Sequence, residues 1–314
     1  MRNLILTLLL LIIFLTACAA PAIEQPQVTL GPDATQIPRP TQTLLPQRTS
    51  RPTVTIQPSP TAASALAIPD ILSPAPMRIS FQTPDGVVLR GYFYPAAQKN
   101  APVVVMMHQN EGDQTMWGSE NSGFIPWLQN WPTYDGSPAT PSAGGILPLL
   151  NPTLTFNVLT FDFRGHGESA GEMAQADFSI YLIDARAAYE AARSLPHVDP
   201  NRIVGIGTSI GADAVVNACG ENCRGAFSIS PGSWLSEDYA QSAAQLIAQG
   251  KPVRCMYAAN DGPSPATCWS VAPGEYYQIF TYPGVKHGMA FFVPRKMEAD
   301  FGKNIIEFLD EATK

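Results

Sequence analysis

From about residue 77 onward the chain alternates two kinds of hydrophobic pattern. "APVVVMMH" (101–108) is apolar almost without interruption, as expected for a strand covered on both faces of a sheet. "TFNVLTFDF" (155–163), "NRIVGIG" (201–207), "GAFSIS" (225–230), "PVRCMYAA" (252–259) and "EYYQIFTYP" (275–283) repeat the theme. Ahead of them, "MRISFQT" and "VVLRGYFYPA" flank Pro84-Asp85-Gly86, a turn signal between two β-rich runs that predicts a hairpin. Between the later runs lie segments of helical period: "DFSIYLIDARAAYEAARSL" (177–195), "IGADAVVNAC" (210–219), "EDYAQSAAQLIAQ" (237–249) and "RKMEADFGKNIIEFLDEA" (295–312). A hairpin followed by strand–helix alternation predicts the α/β class, with a mostly parallel, eight-stranded sheet flanked by helices. Ligand chemistry on such a sheet gathers beyond the carboxyl ends of its strands.

The N-terminal pattern is different. Arg2 precedes an apolar run from Leu4 to Leu15, about a dozen residues where a bilayer span needs roughly 20. It reads as the apolar region of a secretory signal over residues 1–17. "LTAC" resembles the lipobox of bacterial lipoproteins, which implies that Cys18 is lipidated and anchors the chain. From Ala19 to Pro76 prolines recur among Thr, Gln and Ser with no aromatics and no sustained period. Residues 18–76 are therefore expected to form a disordered tether, since such a segment buries too little to offset its entropy. Residues 77–314, about 240 in all, suffice for one domain with a large core.

The formal net charge is −7, and no basic stripe runs along the chain, which excludes nucleic acid as a partner class. Four cysteines remain beside Cys18, an even number in a chain expected to be exported. Of the three possible pairings, Cys219–Cys223 with Cys255–Cys268 is preferred as the closer set. Free buried thiols are the alternative, and no metal is expected because the lone Cys-x3-Cys has no His nearby.

Four motifs then stand in a telling order: "MMHQN" after the third predicted strand, "FDFRGHGES" (161–169) after the fourth, "GIGTSIG" (205–211) after the fifth and "YPGVKHGM" (282–289) after the last. In this order they resemble the α/β-hydrolase superfamily, in particular its dienelactone-hydrolase-like and carboxylesterase-like members, over roughly residues 78–312. The resemblance implies a nucleophile elbow at Ser209, with Gly207 and Gly211 leaving room for the strand-to-helix turn. It implies a base after the last strand. Of four histidines, His108 ends a strand, His166 sits in a turn and His197 follows a helix, so His287 remains. It also implies an acid between nucleophile and base. Asp213, Glu221, Glu237, Asp238 and Glu275 are badly placed for that role, and Asp261 in "YAANDG" follows a strand. The oxyanion hole would take the N–H of Ile210 and one from the loop after the third strand. Where most relatives have His-Gly, this chain has His108-Gln109-Asn110, so Asn110 is the expected donor and Gln109 the second choice.

Asp162, Arg164 and His166 look like a triad of their own, but are expected to be structural groups whose charges pair locally. The stretch 110–152 is longer than a simple crossover needs, and its Trp117, Trp127, Trp131 and Tyr134 are expected to wall the substrate pocket. Only "SPGSWLSED" stands where lipases carry a large cap, which suggests an open site and small acyl groups. The implied function is a membrane-tethered, extracytoplasmic serine hydrolase of carboxylic esters, monomeric and without cofactor. The alternatives are a peptidase similar to prolyl oligopeptidases, and a non-catalytic lipoprotein that binds a ligand on a hydrolase fold.

Overall fold

The computed structural model describes residues 73–117, 123–132, 146–221 and 223–314. The signal region, Cys18, nearly all of the Pro-rich segment and Tyr134 lie outside the described residues.

Eight strands form one sheet: β1 (Met77–Gln82), β2 (Val88–Tyr94), β3 (Ala101–Met107), β4 (Asn157–Phe161), β5 (Val198–Thr208), β6 (Ala226–Ile229), β7 (Val253–Ala258) and β8 (Tyr277–Tyr282). Their order across the sheet is β1-β2-β4-β3-β5-β6-β7-β8. β1 and β2 form the expected hairpin, β2 runs antiparallel to β4, and every other neighbouring pair is parallel. Met107 of β3 pairs with Gly207 of β5, and Ala258 of β7 with Tyr282 of β8, so the parallel strands end along one edge.

The unbroken apolar runs are explained by the two layers they face. Val103, Val105 and Met107 pack into one core cluster, and Val104 and Met106 into the other. A period-2 chain with both faces covered needs apolar residues at every position. Helix α2 (Ile180–Arg193) covers the first face with Tyr181, Leu182, Ala185, Ala188, Tyr189 and Ala192, a stripe at helical spacing. Helix α6 (Phe301–Ala312) covers the second with Phe301, Ile305, Phe308, Leu309 and Ala312.

Between them in sequence lie α3 (Ile210–Asn217) and α4 (Tyr239–Ala248). Asp238 caps α4 by accepting from the Gln241 N–H at 2.8 Å. The final helix begins six residues later than its periodicity suggested. The Lys296 carbonyl accepts from Lys286 Nζ at 2.5 Å instead of serving a helical bond, and Pro294–Lys296 form only a 3-10 turn. Two short helices have no counterpart in the sequence reading: α1 (Phe124–Gln129) and α5 (Ser264–Trp269). Each carries a proline, Pro126 or Pro265, that made the segment read as loop.

The charges of "FDFRGHGES" do not pair locally, contrary to expectation. Arg164 reaches back to Asp85 in the β1–β2 turn (2.7 Å) and forward to Asp184 of α2 (2.7 Å). A buried guanidinium with five donors needs more acceptors than one turn offers, and these two carboxylates supply them. Hydrogen bonds from Arg164 hold Asp85 down at about 2. Asp162 accepts the N–H groups of Gln114 (2.7 Å) and Glu168 (2.8 Å), fixing the loop after β4. His166 Nδ1 lies 3.0 Å from the Arg164 carbonyl. Both are structural groups.

Candidate active site

Ser209 stands between β5 and α3 with φ 54° and ψ −120°. That is close to the mirror image of the polyproline region, a conformation suited to Gly and strained for a residue with a Cβ. The turn exists because two chain segments pass at backbone distance. A Cβ on Gly207 would lie 2.0 Å from the Gly211 carbonyl oxygen, and one on Gly211 would lie 2.1 Å from that of Met107. The elbow is held from below by the Ser209 N–H, which donates to Ile229 O at 2.9 Å, and by the Ser209 carbonyl, which accepts from Ala212 at 2.9 Å. Ile210 is the first residue of α3, so its N–H has no acceptor within the helix.

Asp261 lies three residues past β7, and His287 five past β8. Their proximity follows from the parallel pairing of those strands, which continues beyond the ladder: Ala259 N–H donates to Tyr282 O (2.8 Å) and Asn260 N–H to Gly284 O (2.9 Å). His287 Nδ1 is 2.7 Å from Asp261 Oδ1, with the carboxylate buried and the imidazole 41% exposed. An ionised acid can only accept, so Nδ1 carries the proton and Nε2 is left as the basic nitrogen.

Ser209, His287, Gln109, Asn110 and Glu111 line one cavity of about 240 Å³. Asn110 thus lies beside Ser209, as the oxyanion expectation requires. His108 explains how its loop is held. Nε2 accepts the Phe163 N–H at 3.0 Å, which leaves Nδ1 to donate to the Gln109 carbonyl at 2.7 Å. Because a peptide unit is planar and trans, fixing the Gln109 carbonyl also fixes the opposed N–H of Asn110. Burial pushes His108 down to about 4, keeping it in the neutral form that this bonding needs.

The aromatic residues of the insertion require a correction. Trp117 and Trp127 are buried in the second core cluster and do not line this cavity. Trp117 packs edge-on against Phe292 at 4.9 Å, and Trp127 Nε1 donates to Pro148 O at 2.7 Å. Trp131 Nε1 donates to Pro95 O at 2.9 Å, just past β2, whose carboxyl end lies at the sheet edge opposite Ser209. Large apolar rings gain more from covering the sheet than from lining an open polar cleft. Tyr134 lies outside the described residues. Glu111 was missed, although its place beside Asn110 was a signal.

The preferred cysteine pairs are the disulfides observed, Cys219–Cys223 and Cys255–Cys268. The second ties β7 to α5, the element that follows Asp261.

Asp213, one turn into α3, is fully buried and accepts the N–H groups of Gly232 (3.2 Å) and Trp234 (2.5 Å). It thereby braces the short loop that stands where a cap would be. Burial pushes its carboxyl up to about 7, against about 3.9 in an unfolded chain. The folded state then takes up this proton first, so the carboxyl's contribution to stability grows as pH falls from above 7 toward 4 and is absent at alkaline pH. Denaturant titrations of the parent and Asp213→Asn should therefore show a stability difference that shifts in the parent's favour over that window. A flat difference would contradict the assignment.

Residues 153–260 match the family model described as serine aminopeptidase, S33. The protein YfhR of Salmonella typhi is 28% identical over 173 residues, covering 52% of this chain and 49% of that one, so the chain spans about half the length of that curated relative. Rv2307c of Mycobacterium tuberculosis is 26% identical over 249 residues, covering 73% of this chain and 75% of that one. Among solved structures, the Pyrococcus furiosus esterase Pf2001 superposes with a TM-score of 0.54 at 17% identity, over 78% of this chain and 99% of that one. Sheet order, strand-to-helix elbow and superposed structure agree, and the chain has the α/β-hydrolase fold.

Proposed function

We propose that the protein is an extracytoplasmic serine hydrolase of small carboxylic esters, tethered to a bacterial membrane through lipidated Cys18. The observation that carries the catalytic part is the strained elbow Ser209 sharing one cavity with a His287 whose other ring nitrogen is held by buried Asp261. A neutral serine hydroxyl is a weak nucleophile, and this arrangement supplies the base it lacks. In the proposed reaction Ser209 Oγ attacks the acyl carbon while its proton passes to His287 Nε2. The Ile210 and Asn110 N–H groups hold the developing oxyanion. His287 then gives the proton to the leaving alkoxide; a water deprotonated by His287 attacks the acyl carbon, and the proton returns from His287 to Ser209 Oγ as the acid leaves. Asp261 keeps Nδ1 protonated and stabilises the imidazolium without taking the proton.

A cavity of about 240 Å³ lies below the size usual for drug-sized ligands and supports a short acyl group. The likeness of the fold to Pf2001, described as an esterase, supports the same chemistry. The tether reading rests on the apolar run before Cys18 and the Pro-rich segment after it.

The full-length protein is expected to hydrolyse p-nitrophenyl acetate and butyrate faster than the long-chain esters, and to be labelled at Ser209 by a fluorophosphonate. Absence of both activities would overturn the proposal. A second reading, a peptidase, is favoured by the serine aminopeptidase description of the model matching 153–260. Faster turnover of aminoacyl or peptidyl amides than of matched esters would select it.

A further inference from the structure

His287 occupies the cap position of a 3-10 turn, Gly288–Phe292, and makes no side-chain cap bond of its own. Its ring is committed to Asp261. The first N–H groups of the turn have no acceptor within it and must find one elsewhere. Two side chains from other loops provide it. Ser230, just past β6, accepts the Gly288 N–H at 2.9 Å, and Gln109 Oε1 accepts the Met289 N–H at 3.0 Å.

Gln109 is the residue at which this chain departs from the His-Gly pattern of the superfamily its motifs resemble. The departure has a counterpart across the cavity. Gly288 has φ +50°, and a Cβ there would lie 2.4 Å from Gln109 Oε1. The longer side chain at 109 and the missing one at 288 therefore fit together. The backbone of the same Gln109 is held by His108, so one residue links the loop carrying Asn110 to the loop carrying His287.

We propose that Gln109 is a positioning residue that clamps the oxyanion loop to the base loop, with Ser230 as the second anchor of the base loop. This rests on His287 acting as the base. Misplacing a reacting group by about 1 Å costs on the order of 100-fold in rate, and Gln109 supplies the side-chain hydrogen bond that joins these two loops.

The test measures kcat, KM, fluorophosphonate labelling rate and Tm on the full chain. Gln109→Met keeps the bulk and removes the acceptor. It should lower kcat and labelling roughly 10- to 100-fold, with KM within about twofold and Tm near the parent's. Gln109→Glu keeps an acceptor but brings a negative charge near His287. The acid limb of its kcat/KM profile should move to higher pH, because an opposite charge favours the imidazolium. Ser230→Ala should lose activity as well, and the double variant Gln109→Met/Ser230→Ala should lose less than the product of the two, since both release one loop. A folded Gln109→Met that keeps kcat and labelling within about twofold of the parent overturns the proposal, as does strict multiplicativity in the double variant. If Gln109→Met does not fold, Gln109→Asn, too short by one methylene, is read in the same way. An inactive, unlabelled parent would overturn the serine hydrolase reading itself, and that result precedes any variant.

Discussion

Ser209→Ala is expected to lower ester turnover by roughly four to six orders of magnitude and leave Tm within about 2 °C of the parent. Removing Oγ removes the proposed nucleophile, and what remains is a cleft that can orient ester and water. The hydroxyl contributes little to the fold. The hydrogen bonds that hold the elbow, to Ile229 O and from Ala212 N–H, run through the Ser209 backbone. Alanine keeps the Cβ and therefore the strain of φ 54°, ψ −120°. Glycine does not, so Ser209→Gly should be as inactive as the alanine variant but more stable, by about 1 kcal/mol. The pair separates two roles of one residue: its hydroxyl for chemistry and its backbone as a site of stored strain. Equal stability of the alanine and glycine variants would argue against strain at the elbow. Retained turnover in either would remove Ser209 from the mechanism.

Gly211→Ala is expected to produce the largest loss of stability, about 3 kcal/mol, together with loss of activity. The added Cβ would stand 2.1 Å from Met107 O and 2.7 Å from His108 O. These are backbone atoms at the end of a central strand, so no rotamer change relieves the contact. Whatever yields must move either α3 or the end of β3. Both movements disturb the site, since α3 begins beside Ser209 and β3 leads into His108, Gln109 and Asn110. Gly274→Ala is the control, because a Cβ there meets nothing within 4 Å. Equilibrium unfolding in urea of the two variants against the parent measures the difference. A Gly211→Ala protein as stable as Gly274→Ala would mean that the elbow is not packed as described.

Much of the fold was legible because the signals were local and repeated. An uninterrupted run such as "VVVMM" has one low-energy explanation in a chain of this size, a strand covered on both faces, and β3 lies there. The helical stripe of α2 and the turn residues Pro84-Asp85-Gly86 acted in the same way. Helix ends and short elements were less legible, since a single distant contact decides them. The Lys286 ammonium on the Lys296 carbonyl is one such contact, and nothing within 295–312 announces it. The tryptophans of the insertion were misread for a related reason. Composition shows that a loop is aromatic, but whether its rings face a cleft or the back of the sheet depends on where the chain returns.

The sequence by itself determined the α/β architecture, the glycines that an elbow at Ser209 needs, and which single histidine and acid lie after the right strands. Those are matters of periodicity, residue type and order along the chain. Only the tertiary structure decided that Asp261 and His287 meet at 2.7 Å, that Arg164 spends its charge on Asp85 and Asp184, and that Gln109 reaches the turn after His287. Each joins positions 20 to 180 residues apart. The physical reason is common to all three: the reach of one side chain to another element is set by sheet register and loop path, and neither is written in any local stretch of residues.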